Sequence, residues 1–390
     1  MRRVAVAAVL LLAAWHLDAA RADEAQGITP DTIKIGIIGP FTGPASDFSK
    51  NQIAQISYYN AINAQGGING RKLELIVEDD ACDEQKAIAA ARKLIFDSKV
   101  FLLHAFTCSG AALAAKPVIV QSGIPWVVGG AAATTIATPV VRTIFQPTPT
   151  TLEVGHAMAD FAMSKPGMKT IAVISHSNEW AKGYYDGLIK QLKDKYEITP
   201  VLDLTMERGS TDATPQLLQL RQAKPDAVMV ILYPAESAIF LRDAKKYAYN
   251  APFISTYGTS IEDQMKRLND PVALKNFFTA FLVADIGTAP DMAKWRDIIH
   301  ASYPSESITS VNLTGFGGAL ATVKALQDAG PSPTWDKFID AMDKIKDFDT
   351  GVMAGPLTFT PTDHTGQKQL YFDTYVDGVP TVFTAWGKQR

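Results

Sequence analysis

The sequence predicts an α/β protein built as two doubly wound parallel-sheet lobes. Short apolar runs of strand character alternate with helix-period segments along most of the chain. The alternation breaks off and restarts near residue 170. At 390 residues the chain is also too long for one compact core and suits two. Repeated β–α–β order implies parallel strands with helices on both faces of each sheet.

Taken in order, the first strand is predicted over 33–38 and ends in the turn-rich stretch Gly39-Pro40-Phe41-Thr42-Gly43-Pro44. A helix is expected over 52–64, where Ile53, Ile56 and Ile62 recur near helical spacing. Gly66-Gly67 stops it, and Asn69-Gly70 turns into a strand over 73–77. A helix over 85–96, a strand over 100–105, a helix opening at Ser109 and a strand over 126–128 complete the first series.

The second series reads as strand 170–175, helix 181–195, strand 201–204 and helix 214–223, with Pro215 in the first turn. Strand 227–232, helix 235–247 and strand 253–255 follow. A third stretch departs from simple alternation: strand 277–283, then helices over 290–302, 312–327 and 334–344. Segments 357–359, 370–376 and 381–383 read as antiparallel strands.

Arg2 and Arg3 precede an apolar run of 12 residues, Val4 to Trp15, and Ala20-Arg21-Ala22 has the small-x-small form of a cleavage site. Residues 1–22 therefore read as an export signal, the alternative being a membrane anchor, for which the run is short of the roughly 20 residues a span needs. Cleavage leaves 368 residues and takes the net charge from −3 to about −5. This mild acidity, without a basic cluster, gives no reason to expect nucleic acid or anionic lipid as a partner. The two cysteines, Cys82 and Cys108, read as one disulfide in an exported chain. Closing that loop of about 26 residues would contribute roughly 3–4 kcal/mol in the chain-entropy model. Two separate buried thiols are the alternative.

Enzyme motifs are missing from the sequence. It contains no Gly-x-Ser-x-Gly elbow, no His-Glu-x-x-His and no Gly-x-x-x-x-Gly-Lys loop. The six histidines, at 16, 104, 156, 176, 300 and 364, lack metal-ligand spacing. Gly315-Phe316-Gly317-Gly318 lies in a helical pattern and reads as close helix packing rather than a nucleotide loop. Binding without catalysis, with neither cofactor nor metal, is the expected class; an exported hydrolase is its rival.

Val-Glu-Asp-Asp-Ala-Cys-Asp over 77–83, followed by His-Ala-Phe-Thr-Cys-Ser-Gly over 104–110, resembles the leucine/isoleucine/valine-type periplasmic binding proteins that feed ABC importers. The resemblance covers essentially the whole chain after the signal and is strongest over 31–130. It implies the type I periplasmic binding protein fold, with three hinge crossings placed here at 146–150, 280–284 and 354–361. Lobe 1 would comprise 28–146 plus 284–354, and lobe 2 would comprise 150–280 plus 361–390. It also implies a monomer in the periplasm that hands a small-molecule ligand to a membrane permease, or that serves a chemoreceptor.

In open parallel sheets ligands bind beyond the carboxyl ends of the strands. Ser109 is expected at a helix N-cap there, its hydroxyl and the amides of Gly110 and Ala111 suiting a carboxylate. An ordinary cap without a ligand is the alternative; the family's serine after the second cysteine contacts the ligand carboxylate. A Pro-Ala-Ala-Thr-like family loop reads here Gly129-Gly130-Ala131-Ala132, leaving the amides of Gly130, Ala131 and Ala132, with Thr134 or Thr135 as a substitute hydroxyl. Where the family carries an acid for the ligand ammonium, this sequence has Tyr257. Glu236 is the nearest other acid, and its alternative reading is a first-turn helix residue facing water. Trp180 and Tyr233 match ligand-covering tyrosines, and with Phe41 they predict a ring-lined site. An aromatic acid of benzoate, hydroxybenzoate or cinnamate type is the expected ligand, a branched-chain amino acid the alternative.

Overall fold

A computed structural model describes residues 25–390; the expected export signal over 1–22 lies outside the described residues. Five parallel strands form the first sheet: β1 (Thr32–Gly39), β2 (Lys72–Asp79), β3 (Leu102–Ala105), β4 (Trp126–Val128) and β5 (Ile144–Phe145). Their order is β2-β1-β3-β4-β5. Side chains alternate between the faces with period two. Ile33, Ile35, Ile37, Leu102 and Val127 join one core, and Ile38, Leu103, Trp126 and Val128 join the other. Helix α1 (Lys50–Ala64) packs on the first face, while α2 (Glu84–Arg92) and α3 (Ser109–Ser122) pack on the second. The short α4 (Thr134–Ala137) precedes β5.

The second lobe begins with α5 (Thr151–Met163), a helix the sequence reading did not place. Its signal was present as a capping box. Thr150 Oγ1 accepts the Glu153 amide, while the Glu153 carboxylate accepts the Thr150 amide. There follow β6 (Ile171–Ser175), α6 (Glu179–Tyr196), β7 (Leu202–Thr205), α7 (Thr214–Ala223), β8 (Ala227–Ile231) and α8 (Pro234–Lys246). Next come β9 (Phe253–Ser255), α9 (Ile261–Leu268) and β10 (Phe277–Phe281); α9 also was not anticipated.

The chain then returns to the first sheet as α10 (Ala293–Ser302), α11 (Ser310–Asp328) and α12 (Trp335–Met342). Ala319, Leu326, Phe338 and Met342 complete the core over the face that α1 only partly covers. The glycine cluster makes the approach possible: a Cβ on Gly315 would stand 2.3 Å from the Asn51 carbonyl oxygen. The final strands, β11 (Tyr371–Val376), β12 (Val379–Ala385) and β13 (Lys388–Gln389), extend the second sheet. Its order is β13-β12-β11-β10-β9-β8-β6-β7, parallel from β7 through β10 and antiparallel beyond.

The segments passing between the sheets are hydrogen-bonded to one another. The Gln146 amide donates to His364 O at 2.8 Å, and the Gly366 amide to Gln146 O at 2.8 Å. Ala284 N donates to Val352 O at 2.8 Å, Ala354 N to Leu282 O at 2.9 Å, and Gln367 Nε2 to Leu282 O at 2.9 Å. The expected strand over 357–359 is not formed. Leu357 makes only an isolated bridge to Phe348. Nor does the chain leave the first lobe at 354–361, because Leu357 and Phe359 are buried in its core. The segment that runs beside 146–147 is 364–367, so the passage comes later in the sequence.

Because the clash at Gly315 is with backbone, Gly315→Ala should lower unfolding free energy in urea by about 1–3 kcal/mol, the usual range for overpacking. An unchanged midpoint would mean that α11 and α1 can separate without loss.

Candidate functional site

The order of the first sheet changes winding direction between β1 and β3, and the parallel part of the second between β6 and β8. Crevices form at such points beyond the carboxyl ends of the strands. The two crevices meet at one small cavity, about 20 Å³ as the lobes stand, so a ligand would enter only with the lobes apart. From the first lobe Phe48, Asn51, Thr107, Cys108, Ser109 and Gly130 line it, with Val311 from α11. Trp180, Tyr233, Tyr257 and Gly258 close it from the second lobe.

Phe106 takes the left-handed conformation (φ 68°) that turns the chain out of β3 toward α3. Its buried ring is held edge-on to Trp126 at 5.5 Å. Cys108, bonded to Cys82 with a Cα–Cα distance of 5.5 Å, occupies the N-cap of α3 and supplies no side-chain cap. Ser109 is thus the first helical residue, not the expected cap. Its buried Oγ instead accepts the amides of Ala132 at 3.3 Å and Ala133 at 3.2 Å. With those acceptor positions used, the hydroxyl proton remains to be donated. The first-turn amides of α3 are the orphan donors of any helix start and add partial positive charge, but Gly110 and Ala111, expected to face the ligand, do not line the cavity.

The structure corrects several expected positions. Gly130 lines the cavity, but Ala131 and Ala132 are buried behind it. Their amides are occupied, Ala131 N by Phe106 O and Ala132 N by Ser109. Thr134 lies outside the cavity and ties α4 to α5, its Oγ1 accepting the Leu152 amide at 3.3 Å. Phe41 packs against the first-lobe core, and its amide donates to Asp79. The ring expected there comes from Phe48, only seven positions along in the same long loop. Asn51 and Val311 were missed because nothing local marks them; the close packing of α1 on α11 brings them to the cleft.

Trp180, Tyr233 and Tyr257 do come together. Trp180 and Tyr233 have ring centres 4.7 Å apart, and Phe48 meets the edge of Tyr233 across the cleft at 5.5 Å. Tyr257 Oη donates to Gly130 O at 3.3 Å, a bond between the lobes, and burial pushes its pKa up to about 12. Tyr233 is oriented from behind: its amide donates to His176 Nε2 at 2.9 Å, while His176 Nδ1 donates to Met206 O at 2.6 Å. This fixes one neutral tautomer, and burial lowers the pKa of His176 accordingly. Glu236 does not face water as its alternative reading had it. It is buried, accepts the Gly209 amide at 2.8 Å and does not line the cavity. Further inter-lobe ties run through α9: Lys50–Asp263 at 2.5 Å, Asp47–Arg267, and Ser310 Oγ to Glu262 at 3.2 Å.

Asp80 holds the Cys82 turn by accepting the Cys82 amide at 2.8 Å, while its other carboxylate oxygen is buried without a partner. Burial pushes its pKa up to about 6; the Cys82 amide pulls the other way, and Asp79 and Asp83 add to the rise. The folded state therefore holds a proton that the unfolded chain has released between about pH 4 and 6, and stability falls as pH rises through that window. Asp80→Asn keeps the acceptor and removes the titration. Its stability relative to wild type should climb by on the order of 2–3 kcal/mol from pH 4 to 7. A pH-independent difference would contradict this assignment.

The family model for periplasmic binding proteins matches residues 32–378. A leucine-, isoleucine-, valine-, threonine- and alanine-binding protein of Pseudomonas aeruginosa is 28% identical over 229 residues, 58% of this chain and 61% of that protein. The chain thus aligns with less than two thirds of that relative's length. A crystal structure of a possible leucine/isoleucine/valine-binding protein from Rhodopirellula baltica superposes with a TM-score of 0.81 at 18% identity, covering 92% of this chain and 97% of that one. A solute-binding protein from R. palustris in complex with benzoate superposes with a TM-score of 0.78 at 19% identity, over 92% and 97% of the two chains. With the family model spanning both lobes and the site between them, the chain belongs to the periplasmic binding protein family.

Proposed function

We propose that this chain is the extracytoplasmic solute-binding component of an ABC importer, capturing an aromatic carboxylate in the periplasm and delivering it to a membrane permease. The observation that carries the ligand class is the lining of the cavity. It offers a serine hydroxyl at a helix start on one side, rings on the other, and no Asp or Glu among the described lining residues. An α-amino acid would bring its ammonium into this site without a counter-charge, at a cost of several kcal/mol. An aryl carboxylate has no such group, and each ring contact contributes roughly 0.5–1.5 kcal/mol. The R. palustris structure in complex with benzoate supports this reading; the name of the P. aeruginosa relative supports the second one, a branched-chain amino acid.

In the proposed cycle the lobes hinge about 146–150, 280–284 and the later passage near 364–367, closing on the ligand and presenting both lobe surfaces to the permease. Ser109 and the first amides of α3 take the carboxylate. Trp180, Tyr233 and Phe48 take the ring, and Tyr257 bonds the lobes together.

Calorimetry with benzoate, 4-hydroxybenzoate, cinnamate and leucine tests the ligand class. An aromatic acid should bind at least a hundredfold more tightly than leucine, about 2.7 kcal/mol. Micromolar leucine binding with silent aromatic acids would replace this reading with the amino-acid one. Ser109→Ala should weaken the bound acid by about 1.5–3 kcal/mol through the lost charge-assisted hydrogen bond. A folded variant with unchanged affinity would move the carboxylate away from α3.

A further inference from the structure

Beyond the ring-lined cavity lies a second compartment of about 470 Å³ that shares Phe48 and Tyr233 with it as a common wall. Its charged groups are Asp47, Arg267, Glu236 and Arg208. Three of them are already engaged: Arg267 is paired with Asp47, and Glu236 accepts the Gly209 amide. Arg208 has no carboxylate within salt-bridge distance among the described residues, and its guanidinium stands 5.3 Å from the centre of the Tyr233 ring.

The loop that carries Arg208 is pinned on both sides. Met206 O accepts from buried His176, the Met206 amide donates to Ser175 O at 3.1 Å, and the Gly209 amide donates to buried Glu236. Two buried titratable side chains thus fix the backbone around one exposed, unpaired cation. The neighbouring Glu207 accepts from Ser177 Oγ at 3.0 Å. Guanidinium in such a setting is suited to a carboxylate, which it holds in paired, charge-assisted hydrogen bonds.

We propose that Arg208 forms a distal anion subsite, so that the preferred ligand is an aromatic acid bearing a second anionic group. One carboxylate meets Ser109 and the α3 amides, the ring lies against Tyr233, and the second carboxylate passes the Phe48–Tyr233 wall to Arg208. The inference rests on the aromatic-acid reading of the inner cavity and adds ligand length and charge to it.

The test is calorimetry on the mature chain with matched probes: cinnamate against 4-carboxycinnamate, and benzoate against terephthalate, with leucine as reference. In wild type at least one diacid should bind ten times or more tightly than its monoacid. Raising salt should narrow the gap. Arg208→Met, which keeps an unbranched apolar stem beside Tyr233, should bring the diacid-to-monoacid ratio to about one, and Arg208→Lys should restore part of it. A wild-type ratio near one with tight monoacid binding would overturn the distal subsite alone. So would a ratio that survives Arg208→Met. Leucine binding with all four aryl acids silent would overturn both this inference and the reading beneath it.

Discussion

A parallel sheet must be covered on both faces, and in the first lobe the segment up to β5 cannot meet that demand alone. Helices α2 and α3 close one face, while α1 is left with the other. The missing cover arrives from α11 and α12, the first of which starts 165 residues after β5 ends. The chain therefore has to leave, build most of the second sheet, return and leave again. The hydrogen-bonded strap of crossing segments is the direct consequence. It ties the two lobes along one line and leaves their strand ends facing each other, which is where the cavity lies.

The same covering helix shapes the site. Gly315 lets α11 press against the backbone of α1 at Asn51. That contact brings Val311 and Asn51 to the cavity beside Ser109. Packing demand in the core and the outline of the binding site are thus one problem. A side chain at Gly315 would disturb both.

Polar groups under the cleft are spent mainly on positioning. Gln52 accepts from Thr107 Oγ1 at 2.9 Å, and Gln55 Nε2 donates to Gly129 O at 2.9 Å, fixing the loops after β3 and β4 from below. His176 does the same for Tyr233. The ties across the cleft are of another kind. Lys50–Asp263 is buried, and the desolvation of two charges offsets much of their attraction. The outer pair, Asp47–Arg267, is partly exposed and correspondingly weak. Such contacts specify how the lobes meet without adding much to the strength of the contact.

The sequence by itself determined most strands of the two sheets, though not β5 or β13, and it placed four cavity-lining residues just beyond strand ends. Hydrophobic alternation and turn residues act locally, so strands such as 126–128 and 253–255 and the helix over 214–223 were legible to the residue. Ser109, Trp180, Tyr233 and Tyr257 were legible because each follows a strand whose position was clear. The capping box at Thr150 is equally local, and it starts α5 directly after the 146–150 crossing. Tertiary structure alone decided the rest. Whether the Ala131 and Ala132 amides face a ligand depends on which carbonyl and hydroxyl lie behind them. Whether Phe41 or Phe48 reaches the cleft depends on how a long loop folds back over Asp79. Glu236, Asn51 and Val311 acquire their roles from partners that are remote in the chain. Those choices follow from burial and hydrogen-bond satisfaction in three dimensions, which no local pattern of residues encodes.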